Sequence, residues 1–119
     1  MKNKLFSGSF ALLLASLLFI SSCSKSSDSG TGNNDPNTIH MQGMVFSVAD
    51  LRVLPGTTVT WVNNDNMIHT VTANDGSFNS GDIAVGGTFT HKFESSGLYP
   101  YHCVYHANMT AVVTVGGTR

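Results

Sequence analysis

Residues 101–109 place three kinds of metal-binding side chain within one short stretch of the sequence. The stretch is Tyr101-His102-Cys103-Val104-Tyr105-His106-Ala107-Asn108-Met109. Its thiol, imidazole and thioether follow a C-x-x-H-x-x-M spacing, and His69 supplies a further imidazole upstream. We expect Cys103 to end a strand, His106 to lie in the following loop and Met109 to begin the last strand, so that one turn gathers these side chains. The pattern therefore predicts a metal site at one end of a β-structure.

The donor atoms of this group suit a copper ion that changes its oxidation state. Soft sulfur ligands favour Cu(I), imidazole accepts both oxidation states, and a weak axial Met leaves a trigonal plane of two His and one Cys. Taken singly, each His could be an ordinary surface or core residue, and Met109 could be a core thioether. Found together at this spacing, the four indicate copper.

On both sides of residues 101–109, the sequence alternates apolar and polar side chains with the period of two that is typical of half-buried strands. The clearest runs are Met44 to Val48, Val59 to Trp61, Phe89 to Phe93 and Thr110 to Val115. Turn residues separate such runs at Pro55-Gly56, Asn74-Asp75-Gly76, Gly86-Gly87 and Ser95-Ser96-Gly97. No helical periodicity competes, so we predict an all-β, antiparallel sandwich or barrel of seven or eight strands. The large core side chains are predicted to be Trp61, Phe46, Phe78, Phe89 and Phe93.

The N-terminus has the layout of a secretory signal peptide. Lys2 and Lys4 precede an apolar run from Phe10 to Ile20, which is too short for a comfortable membrane-spanning helix. The following Ser21-Ser22-Cys23 resembles the lipobox of bacterial lipoproteins, in which the cysteine is acylated; an ordinary signal peptide is the alternative. We expect residues 1–22 to be a signal peptide, residues 23–38 to be a lipid-anchored flexible tether rich in Ser, Gly and Asn, and residues 39–119 to fold.

The cysteine count indicates the cellular compartment of the protein, and the charge indicates which class of partner is disfavoured. Cys23 and Cys103 are the two cysteines, and a disulfide between them would consume the predicted copper ligand. If Cys23 carries lipid, metal ligation explains an unpaired Cys103 in an exported protein. Loss of Lys2 and Lys4 would leave four basic residues against seven acidic ones, with no basic patch, so nucleic-acid binding is disfavoured. We expect a membrane-anchored lipoprotein that faces the periplasm or the cell surface.

The folded region resembles a cupredoxin of the plastocyanin and amicyanin group over nearly all of residues 41–115. Three blocks carry the resemblance, and although each is weak alone, their order is specific: Leu51–Asn64, His69-Thr70-Val71 and Gly97-Leu98-Tyr99-Pro100-Tyr101-His102-Cys103. Gaps of two residues between Cys and His and between His and Met are similar to those of amicyanin-like members. Plastocyanin has a longer gap between its His and its Met.

The resemblance implies a Greek-key cupredoxin fold that holds one type 1 copper ion and cycles it between Cu(II) and Cu(I). His69 and His106 would bind through ring nitrogen, Cys103 through its thiolate and Met109 as the long axial ligand. Thr70 and Asn64 would lie behind these ligands. Electrons would pass through the exposed edge of His106 to redox partner proteins that dock transiently on an apolar patch, and the protein would be a monomer. The patch is predicted to comprise Met67, Tyr105 and Ala107.

Several residues depart from the family pattern or leave alternatives open. Thr70 stands where Asn is common, but it can still offer a hydroxyl and a backbone N–H to the Cys103 loop. Ile68 and Tyr105 stand where Pro is frequent, so both ligand loops are expected to be less rigid. His91 is predicted to be packed among aromatic rings, and His102 to point away from the metal.

Two other functions remain open from the sequence. A copper carrier that delivers the ion to another protein is the alternative to an electron carrier. Its support is the segment that contains His40, Met41 and Met44, which could hold a second copper. A purely structural domain with a vestigial site is the third possibility. Four protein ligands leave no ready position for a substrate, so an enzyme is disfavoured.

Overall fold

The computed structural model describes residues 35–117, which form eight β-strands. The predicted signal peptide, Cys23 and the tether up to residue 34 lie outside the described residues. The strands are β1 (Thr38–Gln42), β2 (Val45–Phe46), β3 (Asp50–Val53), β4 (Thr57–Asn63), β5 (Thr72–Ala73), β6 (Thr88–Phe93), β7 (Gly97–Cys103) and β8 (His106–Val115). Over this range, no helical segment has the length and apolar character needed to cross a bilayer. The predicted all-β class is confirmed.

The strands form two four-stranded sheets with the orders β2-β1-β4-β6 and β3-β8-β7-β5. Most neighbours are antiparallel, but β1 pairs with β4 in parallel, and so does β3 with β8. The sheets are therefore mixed, with most pairs antiparallel as the sequence predicted and two parallel pairs that it did not indicate. The sequence signals were tight turns, which impose antiparallel pairs on consecutive strands only. Both parallel pairs join strands that are far apart in the chain, where no turn signal applies.

The core is built around Trp61, which lies on β4. Every second side chain of this strand points into the core. Val59, Trp61 and Asn63 are all fully buried, whereas their neighbours along the strand are partly exposed. The Trp61 ring lies 5.5 Å from that of Tyr101 and 5.7 Å from that of Phe89. The predicted core residues Phe46, Phe78 and Phe93 are buried, and Phe89 packs against them from a partly buried position. Such aromatic pairs each contribute about 0.5–1.5 kcal/mol beyond their buried area.

Two strand boundaries differ from those predicted. The run Met44 to Val48 is interrupted, since Gly43 and Met44 form a two-residue turn with φ angles of 66° and 62°, and β2 spans only Val45–Phe46. Paired positive φ angles match the twist of a tight hairpin. The turn therefore interrupts the strand here, although the alternation of apolar and polar residues continues through it. The last strand begins at His106 instead of Met109 or Thr110, because Cys103 pairs with His106 across the turn Val104-Tyr105.

Candidate metal centre

Three of the predicted copper ligands meet at one end of the sandwich. The Sγ atom of Cys103 lies 3.7 Å from Nδ1 of His69 and 3.5 Å from Nδ1 of His106. One potential ligand atom from each residue falls within 4.8 Å of the others. His69 and Cys103 are buried and His106 is half-buried. The arrangement therefore presents two imidazole nitrogens and one sulfur to a shared point that is largely closed to solvent.

The local folding of β7 and β8 explains why Cys103 and His106 converge. A register irregularity between His102 and Cys103 ends the regular ladder, and the chain reverses within two residues. Cys103 and His106 therefore face each other across the turn. Met109, the fourth predicted ligand, follows on β8 and is only 1% exposed. A thioether at that position is thus buried on the strand that begins with His106.

His69 reaches the site from a different part of the chain. It forms an isolated β-bridge with Ile83, in which Ile83 N–H donates to His69 O over 2.8 Å and His69 N–H donates back over 3.3 Å. Its ring centroid lies 5.0 Å from that of His106. The site therefore joins segments that are separated by 34 residues of sequence.

Thr70 contacts the Cys103 loop in both ways that its sequence position suggested. Its N–H donates to Cys103 Sγ over 3.4 Å, and its hydroxyl accepts the N–H of Val104 over 3.0 Å. The same hydroxyl lies 3.0 Å from Thr72 Oγ1, which donates to Asn79 Oδ1 over 3.1 Å. Thr70 must therefore donate its hydroxyl proton to Thr72, which leaves a lone pair for Val104.

Asp65 sets the tautomer of His69, and this role was not predicted from the sequence. Its Oδ2 lies 3.0 Å from Nε2 of His69 and also accepts the Met44 N–H over 2.9 Å. The hydrogen bond to His69 is the main cause that lowers the pKa of Asp65 to about 2. An ionised carboxylate only accepts, so Nε2 carries the proton and Nδ1 offers its lone pair towards Cys103. An Asp four residues before a predicted ligand His was the available signal.

Asn63, rather than the predicted Asn64, braces the loop that leads to His69. The Asn64 side chain lies on His40, 2.6 Å from its Nδ1. The Asn63 amide is fully buried and donates to Met67 O over 2.8 Å and to Ile83 O over 2.9 Å. Its Oδ1 accepts the N–H of Asp65 over 3.0 Å. The inward position of Asn63 on β4, after Val59 and Trp61, was the signal that sequence reasoning overlooked.

The other histidines stand outside this cluster. His40 and Met41 are consecutive on β1, and Met41 is fully buried while His40 contacts Asn64, so the two point to opposite faces. The suggested second copper site at His40, Met41 and Met44 is therefore not assembled, and the copper-delivery alternative loses its specific support.

His91 and His102 lie where the sequence suggested. The ring of His91 packs 4.7 Å from that of Phe78 and 4.8 Å from that of Phe93, and burial lowers the pKa of His91. His102 is half-exposed, and its Nδ1 lies 2.6 Å from Asn74 Oδ1. Neither ring joins the three-residue cluster.

Apolar residues next to the cluster are exposed. Met67 is 42% exposed and Tyr105 55% exposed, and Ala107 is also exposed. Met67 precedes His69 by two positions, whereas Tyr105 and Ala107 flank His106. Ile68 and Val104 add further exposed apolar area in the same segments. The residues of the predicted patch are therefore accessible.

The donor set decides which metals this cluster could hold. Imidazole and thiolate ligands suit copper, zinc and iron, whereas calcium and magnesium require oxygen ligands. Within residues 35–117, the group of His69, Cys103 and His106 contains no carboxylate donor. A buried thioether on the same strand favours copper over the alternatives, because Met is a ligand for the soft Cu(I) ion. The residues present therefore fit the copper ion that the sequence predicted.

Comparisons with known proteins agree with this geometry. Residues 10–115 match the family model of the cupredoxin-like domain. A plastocyanin from Scenedesmus fuscus is 31% identical over 85 residues, which cover 60% of this chain and 87% of the plastocyanin. An amicyanin from Paracoccus denitrificans is 34% identical over 79 residues; the match covers 60% of this chain but only 59% of the amicyanin.

A solved structure extends the comparison to three dimensions. The purple cupredoxin from Nitrosopumilus maritimus aligns with a TM-score of 0.62 at 32% sequence identity. The alignment covers 66% of this chain and 98% of that protein. Nearly the whole of a solved cupredoxin therefore has its counterpart within this chain.

Proposed function

The chain belongs to the family of proteins with a cupredoxin-like domain, and we propose that it binds one copper ion and carries single electrons. The observation that carries this proposal is the cluster of His69, Cys103 and His106, whose potential ligand atoms lie within 4.8 Å of one another. Met109, buried on β8, would complete the ligand set with its thioether sulfur. Bound there, copper would supply reversible exchange between Cu(II) and Cu(I).

The surroundings of the cluster suit electron transfer because they restrict the movement of the potential metal ligands. Asp65 fixes the His69 ring, Thr70 fixes the sulfur and the turn, and the β-bridge to Ile83 fixes the His69 backbone. Ligands that move little between oxidation states keep the reorganisation on electron transfer small. Four protein ligands would also leave no open position for a substrate, so a carrier is favoured over an enzyme.

The exposed side of the cluster offers a route for the electron. His69 is fully buried, whereas His106 is half-buried, so the His106 ring is the imidazole nearer to solvent. Met67, Tyr105 and Ala107 would form an apolar docking patch around it. A small apolar contact suits partners that must bind briefly and leave.

The decisive test of copper binding is a visible absorption spectrum after Cu(II) is added to the metal-free protein. An intense charge-transfer band is expected from the Cys103 thiolate, and it should be lost in Cys103→Ser. Repeated oxidation and reduction should restore the band without release of metal. A protein that gives no band would have a vestigial site, and ready loss of Cu(I) to an acceptor protein would favour copper delivery.

Docking can be tested separately with charge substitutions. Met67→Glu should slow electron exchange with a redox partner while leaving the spectrum unchanged. Leu98→Glu is the matched control, because Leu98 is 69% exposed but lies five residues before Cys103 on β7, roughly 17 Å away along an extended strand. Equal kinetics in both variants would argue against the patch.

We further propose that the protein is exported and anchored through lipid on Cys23, with the following residues as a tether and the folded domain as a monomer. The support is the N-terminal sequence pattern. Expression of the full chain with a labelled fatty acid should label the protein and place it in the membrane fraction. Cys23→Ser should abolish both results, and retention of the label in that variant would contradict the proposal.

A further inference from the structure

A hydrogen bond between Tyr105 and Asp82 spans the two segments that carry the predicted ligands. The Tyr105 hydroxyl donates to Asp82 Oδ1 over 2.7 Å, although the two residues are 23 positions apart. Both residues are exposed, and Tyr105 is 55% exposed, so burial does not force them together. A short bond from a phenol to a carboxylate is charge-assisted and is among the stronger hydrogen bonds in proteins.

Each end of this bond is directly connected to a predicted ligand. Tyr105 immediately precedes His106 and forms half of the turn after Cys103. Asp82 immediately precedes Ile83, which exchanges both backbone hydrogen bonds with His69. The phenol therefore ties the turn that carries Cys103 and His106 to the backbone pair that carries His69.

The other residue of the same turn is tied to the residue that follows His69. Val104 N–H donates to the hydroxyl of Thr70, the residue that follows His69. One anchor alone would leave the turn free to pivot about its point of attachment. Two anchors, from adjacent residues to two different segments around His69, remove that freedom.

We propose that Tyr105 and Asp82 are positioning residues that lock the Val104-Tyr105 turn against the His69 segment and hold the ligand atoms at their spacing before metal arrives. Tyr105 stands where the family resemblance predicted a Pro, whose ring restricts the backbone locally. Here a contact across the fold supplies the restraint. The inference rests on the proposed copper function for its importance, but the restraint itself belongs to the metal-free protein.

The test uses the full chain and the variants Tyr105→Phe, Asp82→Ala and their double mutant. Tyr99→Phe is the matched control, because its hydroxyl donates to Ser95 O over 2.9 Å and Tyr99 lies five residues before Val104, roughly 17 Å away along an extended strand. In metal-free protein, amide hydrogen exchange at Val104 and Ile83 should rise about three- to tenfold in either single variant, which is the loss expected for one hydrogen bond between solvent-exposed groups.

The copper-loaded protein gives a second readout that general destabilisation would not produce. Tyr105→Phe should shift the Cu(II) absorption band and the reduction potential and should speed transfer of Cu(I) to a chelator, whereas Tyr99→Phe should change none of them. The double mutant should match the single variants, because both remove the same bond.

The outcomes separate the inference from the proposed function. Exchange rates and spectra of Tyr105→Phe that equal those of the wild type, or effects of the two single variants that add, would overturn the restraint. A wild-type protein that binds no copper, but whose turn loosens in the variants, would overturn the proposed function and leave the restraint standing.

Discussion

The hydroxyl of Thr70 accepts the backbone N–H of Val104 over 3.0 Å, and the N–H of the same threonine donates to Cys103 Sγ over 3.4 Å. One buried residue thus holds both the sulfur and the turn that follows it. The hydroxyl is oriented for this purpose because Thr72 accepts its proton and passes its own to Asn79. The family resemblance predicted an Asn at this position, and here a threonine hydrogen-bonded to Thr72 connects the two ligand loops.

Replacing Thr70 with Val should remove the acceptor of Val104 N–H without changing the shape of the side chain. Thr70 is only 2% exposed, so we expect the free energy of unfolding to fall by about 1–3 kcal/mol, the cost of leaving a buried polar group without its partner. Denaturant unfolding of the metal-free protein measures this loss. Thr70→Ser retains the hydroxyl and should lose less. A Val variant as stable as the Ser variant would show that the Thr70–Val104 contact is unimportant.

Replacing Asp65 with Ala should weaken copper binding. His69 would lose the carboxylate that orients its ring and keeps the proton on Nε2, and loss of such a partner typically lowers metal affinity by about 10- to 100-fold. Competition with a chelator of known affinity measures the change. Asp75→Ala removes the same charge from a carboxylate that holds only its own turn, through Ser77 N–H. Equal affinities in the two variants would assign the effect to net charge rather than to His69.

Replacing Asn63 with Ala should destabilise the protein far more than the same change at Asn64. Asn63 is fully buried, and its loss would leave the Asp65 N–H and the Met67 carbonyl without their partner. We expect a loss of about 2–4 kcal/mol in the free energy of unfolding. Asn64→Ala removes only an exposed contact with His40 and should change it by less than about 1 kcal/mol. Similar losses in both variants would contradict the bracing role of Asn63.

His91 should contribute to loss of stability in acid. Burial lowers the pKa of His91 below its ordinary value of about 6.5, so the unfolded chain takes up a proton more readily than the folded protein. The stability that depends on neutral His91 is therefore present above about pH 6.5 and is lost as the pH falls through the lowered folded-state pKa. His91→Phe keeps an aromatic ring beside Phe78 and Phe93 but cannot be protonated.

The measurement for His91 is the free energy of unfolding of the metal-free protein over a pH series. The wild type should lose more stability than His91→Phe as the pH falls below about 6.5. Parallel curves for the two proteins would mean that His91 is equally easy to protonate in both states.

Much of the fold could be read from local patterns because strand alternation reports directly which face of a strand is buried. The run from Thr57 to Asn63 shows this, since its inward positions are the buried ones. The same alternation wrongly predicted a strand that includes Met44, where a turn with two positive φ angles interrupts the strand. It also failed to show that β1 lies parallel to β4, because a period of two contains no information about the neighbouring strand.

The strand-rich class, the turns and the order of the potential ligands could be predicted from the sequence, since each depends on residues that are close in the chain. Cys103, His106 and Met109 are such a local set. The fold was needed to show that His69 meets Cys103, that Thr70 and Asp82 anchor the two residues of one turn, and that Asp65 orients His69. Apart from the contact between Asp65 and His69, these contacts join residues that are 23 to 34 positions apart. The packing of two sheets around Trp61 brings these segments to hydrogen-bonding distance.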